Sequence, residues 1–206
     1  MDIFLLLAYI SGGLLVIYSL FTFIFPSRKL NLLLKAGVDL LSAINLVFVY
    51  IYTRNPLIIA GMVTSMIGLI REILFSFKDS YKALNHIAWP IAFSSLFALS
   101  LIFTYRSPLS ILPPVASVIS TIFFFVTNQK IFKIGAIVAN SLYVTYYLIL
   151  IPSSDVLTIF SLLTSLMGLI SSIVGLFVIF YKQRQAKRSE NEPESEEAHA
   201  HVENKL

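Results

Sequence analysis

Seven long apolar stretches dominate this chain and leave few folds open to it. They cover about residues 3–25, 30–52, 56–77, 87–104, 108–127, 132–151 and 156–181. An α-helix needs roughly 20 mostly apolar residues to cross the hydrocarbon core of a bilayer. Backbone groups in lipid must be hydrogen-bonded within their own segment, and the alternating pattern of membrane strands is absent. The sequence therefore predicts an all-α membrane protein with seven transmembrane helices.

Composition excludes several classes of protein. Only 13% of the residues are charged, whereas a soluble domain carries about a quarter. The net charge of +4 comes from scattered basic residues, which argues against nucleic-acid binding. There is no cysteine, and the only histidines are His86, His199 and His201, so we expect no disulfide, no metal site and no cofactor. The sequence contains no Gly-x-Ser-x-Gly motif, no His-Glu-x-x-His motif and no phosphate-binding loop, and we expect no enzyme activity.

The loop charges predict the orientation in the membrane. One side holds the ten basic residues Arg28, Lys29, Lys78, Lys82, Lys130, Lys133, Lys182, Arg184, Lys187 and Arg188. The other side holds only Arg54 and Arg106. Cytoplasmic loops carry the excess of Lys and Arg, so the C-terminus is predicted to be cytoplasmic and the N-terminus outside. The first apolar run follows an acid, Asp2, and is too long for a secretory signal, so it is predicted to be a retained span.

An internal repeat divides the predicted helices into two sets. Residues 63–70 match residues 163–170 at an offset of 100, and Lys35 matches Lys133 at an offset of 98. Spans 1–3 and 5–7 are then copies, with span 4 as a linker. Equivalent helices lie four spans apart and face the same way, which predicts a 3+1+3 parallel repeat about an axis along the membrane normal.

This division predicts four segments along the chain. Residues 1–77 form the first three-helix repeat, 78–104 the linker with the fourth helix, and 105–181 the second repeat. Residues 182–206 are rich in glutamate, cannot bury apolar surface and are predicted to be a disordered cytoplasmic tail. Its first basic residues are expected to contact anionic lipid headgroups. They are Lys182, Arg184, Lys187 and Arg188.

Spans 1 and 5 contain helix-weakening residues at equivalent places. Span 1 carries Gly12 and Gly13, and span 5 carries Pro113 and Pro114. Glycine and proline promote bends, and interrupted helices in both halves of a repeat point to a transport site. The four residues are therefore candidate hinges. Glycine and proline are also common in membrane helices, which leaves a purely structural interpretation open.

Four charged residues lie within predicted spans 2 and 3. They are Lys35, Asp39, Arg71 and Glu72. A lone charge at the bilayer centre costs at least about 2.5 kcal/mol, so these four are expected to offset one another. One interpretation is a neutral ion cluster that fixes the pairing of the two helices. The other makes Asp39 a carboxylate that couples protons or binds a cation.

A second polar set occurs in both halves of the repeat. Ser42 and Asn45 of span 2 correspond to Asn140 and Tyr143 of span 6, and Tyr147 continues the same helix face. Polar arcs at mid-depth in both halves predict a central hydrophilic pocket that binds substrate. Interhelical hydrogen bonds, worth only about 0.6 kcal/mol each, are the equally weighted alternative.

Three stretches in the second half of the chain carry a likeness to a known family. They are the residues from Ser107 to Pro113, those from Gln129 to Gly135, and the run that ends Tyr143-Val-Thr-Tyr146-Tyr147. On these stretches the chain resembles the YgjV family of bacterial inner-membrane proteins. The resemblance implies a multi-pass protein of a prokaryotic cytoplasmic (inner) membrane and does not imply an activity. The 3+1+3 arrangement is also similar to the SWEET/PQ-loop and PnuC-type transporters, a likeness of architecture only.

These features favour a small polar-solute transporter or facilitator that works by alternating access between the two three-helix repeats. The alternative is a non-transporting integral membrane receptor or assembly protein of the same fold. An intramembrane enzyme is a third class.

Overall fold

The computed structural model describes residues 2–54, 57–105, 108–150 and 156–191, and these residues contain no β-strand. The seven α-helices are α1 (Ile3–Ser19), α2 (Arg28–Thr53), α3 (Leu57–Ser76), α4 (Ala88–Thr104), α5 (Leu112–Phe125), α6 (Gln129–Leu150) and α7 (Val156–Asn191). Two short 3₁₀ helices, Lys82–Leu84 and Pro108–Ile111, precede α4 and α5. The all-α prediction is confirmed.

Four helical segments are long and apolar enough to cross a membrane. They are Arg28–Thr53, Pro108–Phe125, Gln129–Ile149 and Thr158–Arg188. Helices α1 and α4 are apolar but shorter, at 17 residues each. Large apolar side chains cover the outside of the bundle, and Ile102, Phe103 and Phe177 are 71%, 74% and 68% exposed. Such a surface is typical of a protein that meets lipid rather than water.

The packing follows the chain in two groups of three. Helix α2 packs between α1 and α3, and α6 packs between α5 and α7. The two groups meet where α1 contacts α7 and where α5 contacts α3. Helix α4 packs mainly on α5 and less on α3. A cluster of buried phenylalanines, with Leu32 and Ala136, fills the end of the bundle where α3 and α5 finish. Its aromatic members are Phe23, Phe75, Phe93, Phe97, Phe124 and Phe132.

Helix α1 ends earlier than the apolar run predicts. We expected span 1 to reach Phe25, but the helix stops at Ser19 and the chain continues through turns. The backbone groups freed by this early end have partners on other helices. Ser171 Oγ accepts a 2.7 Å hydrogen bond from the Phe23 amide, and Lys133 Nζ donates to the carbonyl oxygens of Phe23 and Phe25.

Helix α7 continues past the predicted start of the tail. Residues 182–191 are helical, so the prediction of disorder from Lys182 onward is wrong for this part, and residues 192–206 lie outside the described residues. The segment is rich in Lys, Arg, Gln and Ala, which are good helix formers. Gln185 Nε2 also donates a 3.0 Å hydrogen bond to the Tyr181 hydroxyl one turn away.

Neither pair of candidate hinges interrupts a helix. Helix α1 runs continuously through Gly12 and Gly13. Gly12 instead permits close packing, since a Cβ there would lie 2.9 Å from the Phe160 ring of α7. Pro113 and Pro114 stand in the first turn of α5, where a missing backbone N–H removes no helical hydrogen bond. The role of these four residues as hinges stays a prediction.

Candidate functional site

A cavity of about 360 Å³ lies among the helices, and all seven α-helices contribute residues to its wall. Its size falls at the lower end of the range for small-molecule sites, ~300–1,000 Å³. Much of the wall is hydroxylated. The serines and threonines that line it are Ser19, Thr22, Ser42, Thr64, Ser65, Ser100, Ser110, Ser117, Ser120, Ser161, Thr164 and Ser165.

All five predicted binding residues line this one cavity. They are Ser42, Asn45, Asn140, Tyr143 and Tyr147. Helices α2 and α6 supply them, and these are the helices packed in the middle of each three-helix group. The polar arcs of the two halves therefore face a common space.

Each of these side chains also makes a hydrogen bond within the protein. Asn45 Nδ2 donates to the Ala8 carbonyl oxygen at 2.7 Å and to Ser11 Oγ at 2.9 Å, which ties α2 to α1. On the same helix, the Ser42 hydroxyl accepts a 3.2 Å bond from Ser65 of α3. The pocket and the interhelical contacts that the sequence left as alternatives occur together in α2.

The α6 residues are bonded less completely. Asn140 Nδ2 donates to the Ala136 carbonyl of its own helix at 2.9 Å. The Tyr143 hydroxyl lies 2.6 Å from Ser117 Oγ of α5, and the Tyr147 hydroxyl is hydrogen-bonded to Ser161 of α7. A phenol hydroxyl can both donate and accept. The two phenol hydroxyls therefore keep the capacity for a further hydrogen bond to a polar group in the cavity.

The four charged residues form one connected cluster. Lys35 Nζ donates to Asp39 Oδ1 and lies 3.7 Å from Glu72 Oε1. Arg71 Nη2 donates to the same Glu72 oxygen at 2.7 Å. Lys35, Asp39 and Arg71 line the cavity, whereas Glu72 is fully buried behind them. With all four groups ionised, the two cations and two carboxylates of the cluster sum to no net charge.

Arg71 extends the cluster to the other three-helix group. Its Nη1 donates to the Ser117 carbonyl oxygen at 3.2 Å, to Ser120 Oγ at 3.0 Å and to Thr121 Oγ1 at 2.7 Å, all on α5. Its guanidinium also lies 5.0 Å from the ring centroid of Phe97. Arg71 thus joins α3 to α5 beside the cavity, a contact that the sequence did not predict.

Sequence reasoning also missed the structural role of Lys133. Its side chain is fully buried, and its ammonium holds the carbonyl oxygens at the end of α1, the Phe25 bond being 2.9 Å long. The repeat already matched Lys133 to Lys35. The sequence did contain a signal for this role, because Lys133 lies inside a predicted span and has no acidic neighbour there. Such a buried charge needs backbone oxygens as partners.

Basic residues bind backbone oxygens at the ends of α3 and α5 as well. Arg28 donates from Nη2 to Phe75 O at 2.8 Å and to Phe124 O at 3.0 Å, and from Nη1 to Asp79 Oδ2 at 2.9 Å. Lys78 Nζ donates to Phe125 O. Burial lowers the pKa of Lys78, the nearby charge of Arg28 lowers it further, and Asp79 acts in the opposite direction. These contacts close the bundle on one side of the cavity.

The remaining predicted residues take other places. Pro113 and Pro114 line the cavity at the start of α5, whereas Gly12 and Gly13 are not part of its wall. The four tail residues expected to meet anionic headgroups are exposed on the extension of α7. They are Lys182, Arg184, Lys187 and Arg188. No protein-family model, curated protein or solved structure matches the chain.

Proposed function

We propose that this protein is a membrane transporter or facilitator for a small polar solute. The observation that carries the proposal is the cavity, which lies between the two three-helix groups and receives side chains from both. A solute held there would contact both groups at once. A relative motion of the groups would then expose it to one side of the membrane and afterwards to the other.

The chemistry of the wall supports an uncharged, polar solute such as a sugar or a nucleoside. Serine and threonine hydroxyls, two asparagine amides and several aromatic side chains line it. Hydroxyls and amides can hydrogen-bond such a solute without the cost of burying an unpaired charge. The ionised groups in the wall are bonded to one another or to α5, so they do not require a charged ligand.

The packing supports the proposed 3+1+3 parallel repeat with seven membrane spans. In that scheme α1 corresponds to α5, α2 to α6 and α3 to α7. The contact of α1 with α7 is then the counterpart of the contact of α5 with α3. Arg71 and Ser171 are equivalent at the offset of 100, and each bonds across one of these two contacts. Two interfaces between the groups, one on each side of a shared cavity, are compatible with alternating access, although the α1–α7 interface is the more extensive.

We also propose a prokaryotic inner-membrane location with the N-terminus outside and the C-terminus in the cytoplasm. The loop charges and the resemblance to the YgjV family support it. The exposed basic residues on the extension of α7 fit an anionic cytoplasmic leaflet.

Ligand-dependent thermal stability, followed by uptake, tests the transport proposal. The purified protein is screened for a rise in melting temperature with sugars, nucleosides and vitamins, because a ligand that binds only the folded state stabilises it. Each stabilising compound is then tested for uptake into proteoliposomes. We expect at least one compound both to raise the melting temperature and to be taken up into the proteoliposomes. A screen without any stabilising solute would contradict the proposal and favour the receptor or assembly alternative.

Tyr143→Phe tests whether the cavity is the binding site, and Tyr181→Phe is its matched control. Both changes remove one phenol hydroxyl, but Tyr143 lines the cavity while Tyr181 is 64% exposed at the far end of α7. We expect Tyr143→Phe to raise the solute concentration for half-maximal uptake by roughly tenfold, equivalent to about 1.4 kcal/mol. Equal effects of the two changes would place binding elsewhere.

A further inference from the structure

The carboxyl groups of Asp39 and Glu72 form an unusual pair inside the charge cluster. Asp39 Oδ1 accepts a hydrogen bond from Lys35 Nζ, and Glu72 Oε1 lies 3.7 Å from the same nitrogen. The shared ammonium group holds the two carboxyl groups side by side where α2 and α3 pack closely. Two ionised carboxylates are both acceptors and cannot bond one another. A proton on either group would remove one of the two like charges and add a hydrogen-bond donor to the pair.

The burial of Glu72 strengthens this argument. Its side chain has no exposed surface, and its Oε2 atom has no hydrogen-bond partner among the residues that the structure describes. A buried acceptor without a partner destabilises the folded state. Its other oxygen, Oε1, already receives Arg71 at 2.7 Å. Glu72 is therefore placed to gain from a proton that it holds itself or receives from Asp39.

The surrounding elements leave few other groups that could hold this proton. Lys35 on α2 and Arg71 on α3 are cations, and Tyr143 is the titratable residue that faces the cluster from α6. The sequences of α4 and α5 contain no titratable residue. Those helices present the Phe97 ring and the α5 hydroxyls to Arg71. The two carboxyl groups are the acids of this region.

The pair also has access to the cavity. Asp39 is 13% exposed and lines the wall, while Glu72 lies behind it. Asp39 Oδ2 packs directly on Gly68 of α3, one helical turn before Glu72, so there is no side chain between the two helices at this point. A proton that enters from the cavity reaches Asp39 first and can pass to Glu72.

We propose that Asp39 and Glu72 together bind one exchangeable proton and that the transporter moves this proton with its solute. The coupling rests on the transport function proposed above, but the proton site does not. A proton taken up at the pair gives the cluster one positive charge, which weakens the hold of Glu72 on Arg71. Arg71 also bonds α3 to α5, so protonation of the pair changes the charge beside one of the two contacts between the three-helix groups.

Infrared spectroscopy of the purified full-length protein in lipid vesicles tests the proton site without any solute. The carbonyl stretch of a protonated carboxyl group is followed between about pH 6 and pH 10, where exposed carboxyl groups stay ionised. We expect a band that disappears as the pH rises and that shifts in heavy water. A band of constant intensity, or no band, in the wild-type protein would overturn the proposal.

Three variants assign the band. Glu72→Gln and Asp39→Asn should each abolish it, since the remaining carboxylate is paired with a cation. Asp2→Asn is the matched control, because Asp2 is an exposed acid whose N-cap role asparagine can keep. It should leave the band unchanged. If either carboxyl variant fails to fold, the wild-type titration still tests the proton site. A band that survives both variants would place the proton elsewhere and refute the assignment.

The proton site and the transport function can fail separately. A titrating band with no stabilising or transported solute would refute transport and retain the proton site. For a solute found by the screen, uptake should rise at least tenfold when the outside of the proteoliposomes is more acidic than the inside, and Glu72→Gln should lose this response. Uptake that is indifferent to the pH gradient would retain transport and overturn the coupling.

Discussion

At the scale of single residues, glycines allow polar groups on different helices to meet. A Cβ on Gly168 would lie 3.0 Å from Asn140 Oδ1. A Cβ on Gly68 would overlap the Asp39 carboxyl group, and one on Gly175 would overlap the Phe23 carbonyl oxygen. Small residues at membrane helix contacts permit close backbone approach. In this protein the same residues make room for the side chains around the cavity and for the turn after α1.

Gly175→Ala should therefore be destabilising, with Gly13→Ala as its control. A Cβ at position 175 would overlap the Phe23 backbone and lie 2.8 Å from Lys133 Nζ, whereas a Cβ at position 13 meets nothing within 4 Å. We expect a loss of about 1–3 kcal/mol for the first change, the usual cost of overpacking. The second should gain up to ~1 kcal/mol from helix propensity. Unfolding in detergent measures both, and equal stabilities would contradict the close contact at Gly175.

Residue patterns predicted the cavity wall better than they predicted the partners of each group. Ser42, Asn45, Asn140, Tyr143 and Tyr147 share a cavity because helical spacing places polar residues on one face, and that spacing can be read from the sequence. Which of these side chains also bonds a neighbouring helix depends on helix packing, as with the bond from Asn45 to Ala8. No single-helix pattern contains that information.

At the scale of elements, the main surprise is where helices end. Residues 20–25 are as apolar as the helix before them, so hydropathy could not show that α1 stops at Ser19. The end is stabilised by Ser171 and Lys133, which are about 110–150 positions later in the chain and are brought there by folding. The end of α5 is also stabilised by residues from distant parts of the chain, because Arg28 and Lys78 bind its last carbonyl oxygens.

Arg28→Met should show how much such a contact between helix ends contributes to stability. The change Lys29→Met at the neighbouring position is its control. Arg28 is buried and bonds Phe75, Phe124 and Asp79. Its loss removes the side-chain donor of the Phe124 carbonyl oxygen and leaves the Phe75 carbonyl oxygen with only the longer bond from the Lys78 amide. We expect a loss of roughly 1–3 kcal/mol. Lys29 is exposed and only lies over the Phe77 ring, a contact worth at most about 1 kcal/mol. Similar melting temperatures for the two variants would show that the Arg28 contacts contribute little.

At the scale of the whole molecule, the basic residues serve two purposes. Arg28, Lys78 and Lys133 bond backbone oxygens inside the bundle, so their placement has a structural reason beyond orientation. Seven of the ten basic residues assigned to the cytoplasmic side remain after these three are set aside. The opposite side still has only Arg54 and Arg106. The charge asymmetry thus persists when the structural cations are discounted.

This asymmetry predicts the result of reporter fusions. A reporter that is active only in the cytoplasm should work when it is fused after Asn191 or within the 78–85 loop. It should be silent when fused at positions 54–55 or 106–107, because short loops with few basic residues face outward. A second reporter that is active only outside, fused at the same four places, should give the opposite pattern and controls for expression. Cytoplasmic activity at 106–107 would mean that α4 does not cross the membrane between the two three-helix groups. The two groups would then have opposite orientations, and a parallel repeat around the shared cavity would be excluded.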